Sequence, residues 1–149
     1  MKIAIVYASK TGNTQELVEL LYKLFRSQYI NVEVYQAKDF PIPALQGYEG
    51  VIIGTYTWGK GEVPAELLPI YRAFENQDVQ QMTTGVVGTG DSFYPHFCGA
   101  VDEFRDMLYI HSTLAVTLKI ELTPQDSDLG RCHRFVELFL KRLERKTCT

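Results

Sequence analysis

The sequence carries little excess charge of either sign. Its 149 residues have a formal net charge of only −3, so the chain lacks the concentrated basic surface with which proteins bind nucleic acid. It also lacks any hydrophobic run near the roughly 18 residues that a membrane-spanning helix needs. The first apolar run, residues 3–7, is too short for a signal peptide and precedes no small-residue cleavage site. These features predict a cytoplasmic protein that associates with neither membranes nor nucleic acid.

Cysteine is scarce as well, with only Cys98, Cys132 and Cys148 in the whole chain. Three is an odd number, and no C-x-x-C pair or suitably spaced histidine accompanies them. A disulfide framework and a metal site are therefore not expected. We interpret all three residues as reduced thiols in a reducing compartment.

What the sequence does contain is a regular alternation of strand-like and helix-like segments. Strands are predicted at residues 3–7, 32–35, 50–54, 84–88 and 113–122. Apolar residues recur at spacings of three and four after each of the first, third, fourth and fifth strands. This periodicity predicts helices over residues 17–25, 67–74, 97–108 and 129–143, the second of them opened by Pro64.

Alternating strands and helices build βαβ units, and therefore a parallel sheet. The first, third and fourth strands are continuously apolar, as strands covered on both faces are. We expect one doubly wound α/β domain over residues 1–149, a three-layer fold with strand order 2-1-3-4-5. In such a fold a ligand binds beyond the carboxyl ends of the strands where the order reverses. The loops after Tyr7, Gly54 and Gly88 are therefore the ones to inspect.

The first of these loops, Ser9-Lys10-Thr11-Gly12-Asn13-Thr14, has the composition of a phosphate-binding loop. Hydroxyl and amide groups meet there at a helix N-terminus, whose free N–H groups attract anions. Simple helix capping by Asn13 or Thr14 is the alternative. Other phosphate loops fit less well, because no Walker A motif occurs and Phe93 replaces the third glycine of a dinucleotide-binding fingerprint.

The second and third loops contain aromatic residues in unusual places. Trp58 stands between Thr57 and Gly59, where its ring could stack on a flat ligand or else fold back onto the domain. The third loop supplies an acceptor, Asp91, followed by Phe93 and Tyr94. Together with the first loop, this pattern predicts a planar ring that carries a single phosphate.

Three motifs thus occur in one order: S-K-T-G-N-T, T-Y-T-W-G and G-T-G-D-S-F-Y-P-H-F-C-G-A-V. In these motifs and their spacing the sequence resembles the flavodoxins, over essentially the whole chain. It resembles the short-chain type, because the insertion found in the fifth strand of long-chain members is not evident. The resemblance implies flavin mononucleotide (FMN) as a non-covalently bound cofactor.

The resemblance also implies roles for individual residues. The FMN phosphate would be held by Ser9, Thr11, Gly12, Asn13 and Thr14, with a main-chain N–H from Lys10. The flavin would stack between Trp58 and Tyr94. The Gly59 carbonyl would accept a hydrogen bond from N5 of the half-reduced flavin. Asp91 would bind the pyrimidine edge near N3. The ring and ribityl chain would be framed by Thr55, Tyr56 and Thr57, and the ring edge by Thr89 and Gly90.

The function implied is that of a low-potential, monomeric one-electron carrier between a reductase and an acceptor enzyme, with no catalytic residue. Three alternatives stay open at this point. A dedicated activator of a metalloenzyme such as a ribonucleotide reductase tends to have a glycine-rich loop in place of Trp58. A flavin-dependent quinone or nitro reductase needs an open flavin face. A binding module without flavin would leave the three loops unexplained.

Several charged or titratable residues near these loops have no assigned role. Lys60 follows Gly59 where relatives often carry an acid, and it would stabilise the reduced flavin if it approached the ring. His96 is expected to be a surface histidine, and Cys98 a packed small residue rather than a redox thiol. Glu62, Glu66 and Asp102 are expected to add negative charge around the site for docking.

Overall fold

A computed structural model describes residues 1–57 and 61–147 of the chain. Its centre is a five-stranded, all-parallel sheet with the order β2-β1-β3-β4-β5. The strands are β1 (Ile3–Tyr7), β2 (Glu33–Gln36), β3 (Gly50–Tyr56), β4 (Thr83–Gly90) and β5 (Thr113–Glu121). The predicted doubly wound α/β fold and its strand order are therefore confirmed.

Two apolar clusters cover the two faces of this sheet. Helices α1 (Asn13–Ser27) and α4 (Leu129–Thr147) pack on one face, where α1 buries Leu17, Leu21 and Phe25 at a spacing of four residues. Helices α2 (Leu68–Asn76) and α3 (Gly99–His111) pack on the other. Burial on both faces explains why the central strands consist of continuous apolar runs. Within residues 1–57 and 61–147, no helix has the length and apolar character to cross a membrane.

The sheet extends further toward its carboxyl edge than predicted. β3 continues to Tyr56 and β4 to Gly90, because Thr55 pairs with Gly88 and Tyr56 with Thr89. The prediction stopped both strands early because it followed apolar side chains, whereas a parallel ladder is held by backbone groups that polar residues also supply. β2 is shifted by one residue and β5 ends one residue early.

The beginning of α2 differs from the prediction for a specific physical reason. Pro64 does not open the helix: it is extended, with ψ of 143°, and precedes a single 3-10 turn, Ala65–Leu67. Pro69 stands instead in the first turn of α2. A helix that began at Pro64 would place Pro69 in its interior, where it lacks the N–H needed for the carbonyl of residue 65. The helix therefore begins at Leu68.

Candidate functional site

The carboxyl ends of β1, β3 and β4 meet at a cleft of about 480 Å³, which we name the carboxyl-end cleft. It lies where the strand order reverses, as predicted for this fold. All three predicted loops contribute to it, and one further residue follows β5. Its lining consists of Lys10, Thr11, Asn13, Tyr56, Thr57, Thr89, Gly90, Asp91, Tyr94, His96, Cys98 and Leu122.

The loop after β1 places the N-terminus of α1 at one end of the cleft. Gly12 is the N-cap of this helix in a left-handed conformation, with φ of 94°, and contributes no side-chain cap. Ser9, which precedes the helix, supplies hydrogen bonds to its first turn instead. The Ser9 Oγ accepts from the N–H groups of Gly12 at 3.2 Å and Gln15 at 3.3 Å. Capping by Asn13 or Thr14, the alternative reading of this loop, is therefore not observed. The Ser9 hydroxyl proton remains able to donate.

A buried hydroxyl pair joins this loop to the end of β4. Thr14 and Thr89 are both buried, and their Oγ1 atoms lie 2.8 Å apart. Only one hydroxyl proton is used in such a pair, so the other can still be donated. Thr14, like Ser9, Gly12 and Thr55, is not among the residues that line the cleft. Their direct contact with a phosphate or a flavin stays a prediction.

Tyr56, the last residue of β3, and Thr57, which follows it, both line the cleft. The Tyr56 hydroxyl donates to the Glu66 carboxylate, whose oxygens lie 2.8 and 3.1 Å away. Burial is the larger cause, and the contact with Glu66 the smaller one, of a rise in the pKa of Tyr56 to about 12. Thr57 Oγ1 is buried and has no hydrogen-bond partner within the described part of the chain. Trp58, Gly59 and Lys60 lie outside the described residues, so the roles expected for them stay predictions.

The loop after β4 forms a compact turn that presents an aromatic ring. The Asp91 Oδ1 accepts a hydrogen bond from the Phe93 N–H at 2.9 Å, and the Asp91 carbonyl accepts one from the Tyr94 N–H at 3.1 Å. The Tyr94 side chain is 66% exposed at the cleft, whereas Phe93 is 94% exposed and lies outside the lining. A carboxylate has two acceptor oxygens, so Asp91 can accept further hydrogen bonds.

Three lining residues were not among the predicted site residues. His96 is exposed, as expected, but it also lines the cleft. Cys98 is fully buried, and burial raises the pKa of its thiol to about 11, which agrees with its expected role as a packed residue. Leu122 has a left-handed backbone, with φ of 58°, and its N–H donates to the Gly90 carbonyl at 2.7 Å. The strand order itself could have indicated Leu122, because β5 is the neighbour of β4.

A second cavity has almost the same volume, about 470 Å³, but a different position. It lies near the amino ends of the strands, where the Glu49 N–H donates to the Lys2 carbonyl, and its lining includes Tyr48, Asp78 and Met82. Ligands of doubly wound sheets bind at the opposite, carboxyl edge. We therefore assign the functional site to the carboxyl-end cleft and not to this cavity.

Comparison with known proteins gives a consistent result. The family model described as flavodoxin matches residues 5–134. The chain is 34% identical over 142 residues to the probable flavodoxin 1 of Bacillus subtilis, covering 93% of this chain and 90% of that protein. It is 35% identical over 133 residues to the flavodoxin of Maridesulfovibrio salexigens, covering 86% and 91% respectively.

A solved structure agrees over nearly the full length. The crystal structure of oxidised flavodoxin 1 from Bacillus cereus superposes with a TM-score of 0.86 at 35% identity, covering 95% of this chain and 98% of that one. β5 runs through nine consecutive residues, so the fifth strand carries no insertion. The chain therefore belongs to the flavodoxin family, in its short-chain form.

Proposed function

We propose that the carboxyl-end cleft binds one FMN non-covalently and that the protein carries single electrons between redox enzymes. The observation that carries the proposal is the convergence of the three predicted loops on this one cleft at the switch point of the sheet. Membership of the flavodoxin family supports it independently.

The described residues fit FMN at both ends of the cleft. Lys10, Thr11 and Asn13 line the end formed by the N-terminus of α1, where the partial positive charge of a helix N-terminus favours a phosphate. At the ring end, the exposed face of Tyr94 offers a stacking surface. Thr57 Oγ1, buried without a partner among the described residues, is a polar group that a polar ligand atom would satisfy.

When bound, FMN supplies reversible one-electron chemistry, and the protein supplies binding, orientation and electrostatics. Tyr94 excludes water from one face of the ring position, and Trp58 is expected to cover the other. The Asp91 carboxylate opposes the build-up of further negative charge in a site with little water. This combination favours a low potential and requires no nucleophile or general base. We propose on these grounds that the protein is an electron carrier and not an enzyme.

Exposed charge near the cleft supports redox proteins as partners. Glu62 and Glu66 are exposed on the segment after Gly61, and they suit the basic docking face of a reductase or acceptor enzyme. Asp102, expected to add to this charge, contributes less than predicted, because it pairs with Lys119 at 2.8 Å and Arg105 at 3.0 Å. We further propose that the protein acts as a monomer in the cytoplasm, where Cys98 and Cys132 stay reduced thiols.

The first experiment loads the purified protein with excess FMN, removes unbound flavin and records visible spectra during stepwise anaerobic reduction. We expect retained flavin and a transient long-wavelength band from the half-reduced cofactor. Retained flavin that is reduced directly by two electrons, with turnover of NADPH and a quinone, would favour a reductase instead. A protein that retains no flavin would contradict the proposal.

Riboflavin provides a matched control for the phosphate end of the cleft, because it is FMN without the phosphate. Charge-assisted hydrogen bonds contribute about 1.5–3 kcal/mol each, which is roughly a 10- to 150-fold difference in affinity per bond. FMN should therefore bind at least about tenfold more tightly than riboflavin. Equal affinities would show that the loop after β1 does not hold a phosphate.

A further inference from the structure

The first turn of α3 packs directly on Gly61 with no room for a side chain between them. A Cβ placed on Gly99 would lie 2.7 Å from Gly61 Cα and 3.1 Å from the Gly61 carbonyl oxygen. Gly61 itself is buried and has a φ of +96°, and a Cβ there would lie 3.0 Å from His96 Cβ. The main chains of the two segments are therefore in direct contact.

This contact belongs to a stack of main chains that crosses the site, which we name the backbone stack and define as Gly61, Gly99, Cys98, Gly90 and Gly88. A Cβ on Gly90 would lie 3.0 Å from both the N and Sγ atoms of Cys98. A Cβ on Gly88 would lie 2.2 Å from a Val101 methyl group and 2.9 Å from the Thr55 carbonyl oxygen. The stack thus connects β4, the start of α3 and the segment that follows β3.

We propose that Gly99 and Gly61 are positioning residues that set the width of the carboxyl-end cleft. This inference rests on the proposed function, because the width matters only if a flat ring is held there. Gly61 belongs to the segment after Thr57, and Gly99 directly follows the loop that carries Tyr94 and Cys98. Their contact joins the segment that follows Thr57 to the loop that carries Tyr94.

The expected displacement is large enough to affect binding. With a Cβ on Gly99, Gly99 and Gly61 would have to separate by about 0.7 Å, from 2.7 Å to the 3.4 Å at which ordinary van der Waals contact begins. A gap of 0.5–1 Å removes roughly a quarter to a half of the dispersion attraction between facing atoms. A ring stacked on Tyr94 would therefore lose part of its contact with the cleft.

Helix propensity favours alanine over glycine at this position, whereas the contact with Gly61 disfavours it. The two effects can therefore be distinguished by experiment. Gly99 is the first residue of α3, and alanine is a better helix former than glycine. Gly130 is a matched control: it lies in the first turn of α4, and a Cβ there would meet nothing within 4 Å. On local grounds alone, both glycines could be replaced by alanine at no cost.

The experiment compares FMN binding to the apo forms of the wild type, Gly99→Ala and Gly130→Ala. We expect Gly99→Ala to raise the FMN dissociation constant by about tenfold or more, which corresponds to 1.4 kcal/mol. It should also alter the visible circular dichroism of bound FMN. The loss should be the same factor for riboflavin, because the displacement affects the ring and not the phosphate. Gly130→Ala should stay within about twofold of the wild type for both ligands.

Urea unfolding of the apo-proteins is the second measurement. Its midpoint should be unchanged or raised in Gly130→Ala, whereas the separation of Gly99 from Gly61 should lower it only modestly in Gly99→Ala. Wild-type affinity for Gly99→Ala would overturn the inference while leaving the proposed function intact. A Gly99→Ala apo-protein that is strongly destabilised would also overturn it, because the contact would then be a requirement of the whole fold. Failure of the wild type to bind FMN would refute the proposed function itself.

Discussion

Thr57→Val removes one hydroxyl from the carboxyl-end cleft while preserving the shape of the side chain. The Thr57 Oγ1 is buried and lacks a hydrogen-bond partner among the described residues. An unsatisfied buried group of this kind costs about 1–3 kcal/mol. In the apo-protein, Thr57→Val should therefore raise the free energy of unfolding, by an amount up to that cost.

The same substitution should have the opposite effect on FMN binding. If a polar atom of the cofactor pairs with the Thr57 hydroxyl, binding relieves the unsatisfied group in the wild type but not in the variant. A difference of about 1–3 kcal/mol raises the dissociation constant by roughly 5- to 150-fold. The variant should thus be the more stable apo-protein and the weaker FMN binder.

Thr83→Val is the matched control, because Thr83 Oγ1 is also buried and unpaired within the described part of the chain. Thr83 begins β4 and Gly90 ends it, and a rise of about 3.3 Å per residue separates them by roughly 23 Å. Thr83→Val should stabilise the apo-protein and leave FMN binding unchanged. Apo stability is measured by urea unfolding and affinity by quenching of flavin fluorescence. Equal FMN affinities for the two variants would refute the reasoning.

Three further predictions concern side chains at or near the cleft. Tyr94→Ala should weaken FMN binding about tenfold in a fluorescence titration, because an aromatic pair contributes about 0.5–1.5 kcal/mol beyond its buried area. Glu66→Ala should lower the pKa of Tyr56 from about 12 part of the way toward the ordinary value near 10, because burial, the larger cause of the shift, remains. In the wild type, the stability linked to this phenol is complete below pH 10 and is lost as the pH rises toward 12. In Glu66→Ala the loss should be complete at a lower pH, as urea unfolding at a series of pH values can show. The Cys98 thiol, whose pKa burial raises to about 11, should react with a thiol reagent at neutral pH only after unfolding, as peptide mass analysis can show.

Each of these predictions has its own control. Phe93→Ala removes a ring that is 94% exposed and lies outside the lining, so the FMN affinity of this variant should match that of the wild type. A loss of affinity equal to that of Tyr94→Ala would show that Tyr94 makes no specific contribution. Glu66→Gln keeps a hydrogen-bond acceptor and should restore part of the Tyr56 shift. Rapid labelling of Cys98 in the folded protein would contradict its burial.

Much of the fold follows from local patterns in the sequence. The strand and helix order could be predicted because apolar periodicity is a property of neighbouring residues. Element ends were less predictable: β3 and β4 continue through Tyr56 and Gly90 because of backbone pairing, which side-chain type does not reveal. The start of α2 depends on Pro69, and the prediction considered only Pro64.

The site was predictable to the extent that it lies on the three loops. Lys10, Tyr56, Asp91 and Tyr94 were predicted from composition and resemblance, and they line the cleft. Leu122 was missed because the prediction followed only the loops after β1, β3 and β4, although β5 is the neighbour of β4. The charge of Asp102 was overestimated because its partner Lys119 lies 17 residues away in the sequence and 2.8 Å away in space.

The sequence by itself thus determined the alternation of elements, the fold class and the composition of the loops, because these depend on residues close together along the chain. Only the tertiary structure decided which groups meet across it. Thr14 and Thr89 are 75 residues apart yet form one hydroxyl pair, and Gly61 contacts Gly99 through main-chain atoms alone. Such contacts depend on how the sheet and helices pack, which local sequence patterns do not reveal.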